Sequence, residues 1–203
     1  IRQRARLPAQ MEARCTEHLL EGGKLWDQDP AALIAKLRGC IALHEAYQGA
    51  YRDAQRELAQ TPKGRQFELN EPLIFGKLEL FCRRAEKLAD MFATTEQFSA
   101  LAAHNIEGME GLLATFRHVI REFQRKPYEL LDYTKSAFDR DYLEFNANIH
   151  ELEAALQSFI NQSFESINST AHALALLRQF QAVLQRDSLK EDLDSKLMVI
   201  FHN

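Results

Sequence analysis

Apolar residues recur in steps of four and three along most of the chain, the spacing that gathers side chains into one stripe on a helix. One stripe runs Leu33, Leu37, Cys40, His44, Tyr47, Tyr51, Ala54 and Leu58, and another Ile74, Leu78, Phe81, Ala85, Leu88 and Phe92. A third is Leu112, Leu113, Phe116, Val119, Ile120 and Phe123. The longest is Phe138, Tyr142, Phe145, Ile149, Leu152, Leu156, Phe159 and Ile160, in a helical register from about Thr134 to Ile167, a rod of about 50 Å.

Start and stop signals frame these stripes. A first helix from about Pro8 to Leu20 ends at Glu21-Gly22-Gly23. Asp29 can cap and Pro30 can open the next, which Thr61-Pro62-Lys63-Gly64 breaks. The loop to Asn70 is expected to hold a short extended piece around Phe67, and Asn70 with Pro72 opens the following helix. Thr94 with Gln97, and Ser188 with Glu191, read as capping boxes that each start a further helix. Asn105 to Gly108 forms a break, Pro127 ends a helix, and Ser169 or Thr170 opens one through Leu176, Leu177, Phe180, Val183 and Leu184. The expectation is an all-α fold of elongated antiparallel helical bundles, about seven or eight helices joined by short loops. Two segments are expected: residues 1–28, an N-terminal helix and linker, and residues 29–203, a helical bundle region truncated at both ends. The chain opens on Ile1 rather than Met and an apolar run, Leu197 to Phe201, nearly reaches Asn203, so both ends read as lying inside a longer protein.

Composition agrees with helices. Only eight glycines and five prolines serve 203 residues, too few for the turns of a β-rich protein. The net charge of -4 argues against a dedicated nucleic-acid binder and gives no attraction to an anionic membrane. The local cluster Arg2, Arg4, Arg6 and Arg14 reads as a solvated end or a contact with further sequence. No apolar run approaches the roughly 18 residues that span a bilayer. Cys15, Cys40 and Cys82 are odd in number and widely spaced, which reads as reduced cytosolic thiols. The glycosylation patterns at Asn161 and Asn168 carry no weight without secretion.

Candidate chemistry is sparse. No phosphate-binding loop occurs; Gly64 lies in Thr-Pro-Lys-Gly-Arg, the wrong order. No Glu-x-x-His pair for a di-iron bundle exists, and Cys15-x-x-His18 stands alone where zinc needs three or four ligands. His44 reads as a hydrogen-bonded core histidine, and Cys40 one turn before it lacks a third orienting group for nucleophilic chemistry. His104 could cap a helix end. Asp139/Asp141 and Glu151/Glu153 sit two apart, diverge on a helix, and read as solvated. Ile34, Ile41 and Phe164 lie off the main stripes; packing against a third helix outweighs contact with a partner at these positions. The residues thus describe a helical scaffold with no catalytic, cofactor or metal residue to name and no partner-binding residue assigned.

Several stretches occur in an order that resembles the amino-terminal tail of dynein heavy chains, of the axonemal outer-arm type and nearest its gamma form. They are Ile74-Phe75-Gly76-Lys77-Leu78 into Phe81-Cys82-Arg83-Arg84, Ile106-Glu107-Gly108-Met109-Glu110, Lys126-Pro127-Tyr128-Glu129-Leu130-Leu131-Asp132, and Phe138 to Phe145. Phe159-Ile160, Phe164 to Ile167, and Ala173-Leu174 to Phe180-Gln181 complete the series, which runs from about Asp29 to the end. The resemblance implies a non-catalytic scaffold in a ciliary or flagellar axoneme. It implies association with other heavy chains, intermediate chains and light chains, and indirect attachment to the doublet microtubule through docking proteins. It also implies that ATP belongs only to a motor region outside this segment, while the charge balance leaves neither nucleic acid nor membrane as an expected partner. The rival readings are a helical tethering or adaptor domain of a trafficking or spectrin-like protein, whose roughly 100-residue period is missing, and an enzyme built on a bundle, for which only His44 is a candidate.

Overall fold

A computed structural model describes residues 6–61, 71–165, 167, 169–181, 183, 184, 186, 189 and 190. Among them are six α-helices and no strand: α1 (Arg6–Leu20), α2 (Pro30–Ala59), α3 (Glu71–Ala102), α4 (Glu110–Arg125), α5 (Ala137–Glu165) and α6 (Thr170–Phe180), with a 3-10 turn at Leu25–Asp27. The all-α expectation holds. The helix count is close to that expected, and Thr94 accounts for one difference. Thr94 starts no helix; it lies inside α3, which runs unbroken from Glu71 to Ala102. Leu189 and Lys190 are helical, where a helix is expected after Ser188; Ser188 itself, the rest of that helix, the piece around Phe67 and the Asn70 cap fall outside the described residues.

The local signals act as their chemistry requires. Gly23 takes a positive φ of 92° after α1, and its N–H donates to the Leu20 carbonyl at 3.0 Å. The Gln28 side chain donates to the Leu19 carbonyl at 2.7 Å, a cap the sequence pattern did not reveal. Asp29 accepts from the Ala32 N–H at 2.9 Å with Pro30 at the first helical position. Pro127 holds Lys126 extended at φ -73° and ψ 133°, so α4 stops at Arg125. Ser169 accepts from the His172 N–H at 3.3 Å and opens α6. The helix expected from Thr134 begins instead at Ala137, because the Asp132 carboxylate takes both the N–H and the hydroxyl of Thr134, at 3.0 and 2.5 Å. With 29 residues, α5 is about 44 Å long, and the 32-residue α3 exceeds it.

The chain divides into two compact units, residues 1–93 with 128–136, and residues 94–127 with 137–203. In the first, α1 packs on α2, and Leu19, Leu33, Leu37, Phe75, Phe81, Leu88 and Met91 are fully buried. Phe75 is ringed by His44, Tyr47 and Tyr51, with ring centroids 6.0, 5.4 and 5.1 Å away. The α2 stripe does not persist: Ala54 and Leu58 are exposed, although the pattern puts them on the seam.

In the second unit α4 packs along α5. Phe123 meets Phe138 edge-on at 5.7 Å, and Phe98 stacks on Phe116 at 4.5 Å. The α5 stripe is buried from Phe138 through Ile160, apart from the half-buried Phe159. Ile34 and Phe164, off-stripe candidates for partner contact, are buried in their own units, and Ile41 is half-buried. For the first two, the packing reading prevails over partner contact. Gly108 has φ 87°, and a Cβ there would stand 3.1 Å from the Phe159 ring.

Candidate partner-docking groove and buried polar anchors

The segment 128–136, between α4 and α5 in sequence, belongs to the first unit, and a buried arginine of that unit binds its main chain. Arg84 on α3 is 2% exposed. Its guanidinium donates to the carbonyls of Leu130 (3.2 Å), Asp132 (2.9 Å) and Lys135 (3.0 Å). A buried guanidinium is costly unless its donors are used, and three irregular-backbone carbonyls need donors; each solves the other's problem. The segment braces itself further. Lys135 reaches Glu129 at 2.8 Å and Asp132 at 3.2 Å. Hydrogen bonds from Thr134 and Lys135 lower the pKa of the Asp132 carboxyl, so it stays ionised.

The braced segment forms one wall of a groove of about 640 Å³ whose other walls come from α1 and the 3-10 turn. Leu20, Leu25, Trp26, Leu130 and Leu131 supply apolar lining; Glu12, Glu129, Asp132 and Lys24 supply charge. The Tyr133 hydroxyl donates to Glu12 Oε2 at 3.2 Å, tying the segment to α1. Burial, with the Glu12 carboxylate beside it, raises the Tyr133 pKa to about 12. Trp26 is fixed against Phe92, centroid to centroid 4.9 Å.

The three cysteines, remote in sequence, are all buried and meet in the first unit. Burial first, then a hydrogen bond with Cys15, pushes the Cys40 thiol up to about 12. Burial, with Cys15 next in effect, does the same to Cys82. Such thiols are protonated near neutrality and poor nucleophiles, which weighs against the Cys40–His44 pairing as a catalytic device. His44 is buried as expected of a core residue, but its Nδ1 lacks the hydrogen bond expected there. The Cys15/His18 pair does not converge with further ligands: His18 faces Glu21 at 3.1 Å, and no group of three metal-ligating side chains occurs among the described residues.

Of the carboxylates expected in solvent, Glu153 is instead buried, 5% exposed. Arg186 pairs with it and also donates to Thr94 Oγ1 at 2.8 Å and Gln97 Oε1 at 3.1 Å. The two residues that looked like a capping box are acceptors for a distant arginine. Asp141 is half-buried and pairs with Lys126 at 2.9 Å.

Residues 6–203 match the family model for dynein heavy chain, N-terminal region 1. The chain belongs to this family. It is 48% identical over 195 residues to the dynein gamma chain, flagellar outer arm, of Chlamydomonas reinhardtii, covering 96% of this chain and 4% of that one. It is 34% identical over 174 residues to dynein axonemal heavy chain 8 of Homo sapiens, 85% of this chain and 4% of that one. With the dynein beta chain, flagellar outer arm, of Chlamydomonas reinhardtii it shares 25% identity over 191 residues, 90% of this chain and 4% of the other. The chain thus spans about 4% of the length of these relatives.

Within this dynein heavy-chain segment, two stretches that carried the resemblance prove to be partners. Phe81-Cys82-Arg83-Arg84 supplies the buried guanidinium, and the stretch ending Leu130-Leu131-Asp132 supplies carbonyls to it. No spacing rule connects residues 46 apart in different elements, so this pairing was not legible in the periodicity. No described helix is long and apolar enough to cross a membrane.

Proposed function

We propose that this chain is a non-catalytic tail segment of an axonemal dynein heavy chain, a structural scaffold in a cilium or flagellum. Its roles are association with other heavy chains, binding of intermediate and light chains, and attachment of the motor to doublet microtubules through docking proteins. The match of residues 6–203 to the N-terminal region of dynein heavy chains carries this reading, and the names of the axonemal and flagellar relatives support its setting. The physical character of the chain fits. Long helices with buried stripes resist deformation along their length, and polar side chains with unusual environments are spent on structure: Arg84 on carbonyls, Glu153 on Arg186. ATP chemistry belongs, in this reading, to a distant part of the heavy chain, and this segment takes no cofactor.

The test is chemical cross-linking and peptide mapping of the intact motor complex isolated from cilia or flagella. Cross-links from this segment to intermediate chains, light chains or a second heavy chain are expected. Cross-links confined to membrane-trafficking proteins, or absence of the segment from the axoneme, would overturn the assignment.

A further inference from the structure

The geometry points to the groove between α1, the Leu25–Asp27 turn and the segment 128–136 as a docking site for an amphipathic segment of another polypeptide, one with large apolar side chains flanked by arginine. The inference rests on the scaffold reading above and specifies the chemistry of one partner.

Three observations select this occupant. First, the groove presents apolar surface to water. Leu20 is 47% exposed, and Trp26 and Leu131 are half-buried. Partly exposed leucine and tryptophan lining one concavity are the kind of apolar surface that helix-in-groove recognition uses. An open trough with an exposed leucine would leave much of a small ligand wet, whereas a partner surface seals such a site around its anchors.

Second, the walls are preorganised. Arg84 fixes the 128–136 wall through three carbonyls, Tyr133 ties it to Glu12, and Gln28 secures the end of α1. A partner therefore loses little affinity to ordering this side of the interface.

Third, the charge is lopsided. Glu12, Glu129 and Asp132 line the groove together with one ammonium group, that of Lys24, and Lys135 pairs with Glu129 and Asp132. Asp132 has both oxygens engaged, but among the described residues Glu12 and Glu129 each use only Oε2 in a hydrogen bond, to Tyr133 and Lys135. A guanidinium can take up the spare oxygens with charge-assisted bonds. The same acidity disfavours a second copy of this chain, because a two-fold contact would set these carboxylates against their own counterparts.

The experiment compares oxidative footprints of full-length heavy chain in the intact complex with those of heavy chain stripped of its associated polypeptides. Labelling of Trp26 and Leu131 is expected to fall severalfold in the complex. A heavy chain carrying Glu12→Gln and Glu129→Gln, which keeps the Tyr133 acceptor, is expected to rebind its partner about tenfold more weakly and with a flatter salt dependence. Equal labelling in both states, with the heavy chain still co-sedimenting with its partners, would overturn the groove while leaving the scaffold reading intact. Protection that persists in stripped, self-associated heavy chain would assign the groove to a second copy and overturn the proposed occupant. Failure of the wild-type chain to associate with any dynein subunit would remove the scaffold reading itself.

Discussion

The guanidinium of Arg84, in the middle of α3, lies 2.9 Å from the main-chain carbonyl of Asp132, 48 residues away, and this bond is one of three by which a helix residue organises a loop. Arg84→Met keeps the apolar stem and removes every donor. Leaving these carbonyls without charged donors is expected to cost on the order of 3 kcal/mol. Urea unfolding should show this loss, and hydrogen exchange should accelerate first in residues 128–136. Arg84→Lys, with one ammonium in place of a planar fork, should recover only part of it.

The Glu153–Arg186 pair makes a second prediction. Removing either partner alone, as Glu153→Leu or Arg186→Met, leaves a largely buried charge with weaker partners, Thr94 and Gln97 for Arg186 and the exposed His150 for Glu153, and is expected to destabilise the chain by up to about 3–5 kcal/mol. The double replacement should cost clearly less than the sum of the two. A double-mutant cycle by denaturant titration measures the coupling, and simple additivity would show that the pair does not act as a unit.

The thiol cluster gives a pH dependence of definite sign. Cys40 and Cys82 have pKa values raised to about 12, so the folded chain holds protons that the unfolded chain releases near 9. Their contribution is fully present below the unfolded value and is lost as pH rises from about 9 through 12. Tm should fall over that alkaline window. In Cys40→Ala the decline should be shallower, even though the starting stability is lower.

Gly108 stands where φ is 87° and a Cβ would press on Phe159. Gly108→Ala is expected to destabilise by about 1–2 kcal/mol, the combined effect of left-handed backbone and close contact. Thermal unfolding measures it; Gly39→Ala, in an open helical position with nothing within 4 Å, should be neutral or slightly stabilising.

The two ends of one stripe should respond differently. Leu37 is fully buried, and its replacement by Ala is expected to cost about 2–5 kcal/mol. Leu58, at 48% exposure, should change stability by about 0.5 kcal/mol or less, as measured by the same denaturation assay.

Sequence alone determined what depends on near neighbours in the chain. The four-three recurrence of Phe138, Tyr142, Phe145 and Ile149 identifies a buried helix face, because residues three and four apart share a side whatever lies beyond. Asp29-Pro30, Ser169 and Pro127 set boundaries through bonds or clashes made within a few residues. The ordered motifs carried the family. Tertiary structure decided what depends on elements far apart. Whether Leu58 is covered, whether Thr94 caps a helix or receives Arg186, and whether Glu153 meets water or an arginine all turn on what another element brings within reach. Cys15, Cys40 and Cys82 were three isolated letters until the helices brought them together. The groove is the same kind of object: its walls come from residues more than 100 positions apart, and the Tyr133–Glu12 bond that joins them spans 121. Local periodicity carries no information about such distances, because packing of whole helix faces, not spacing along the chain, brings those side chains together.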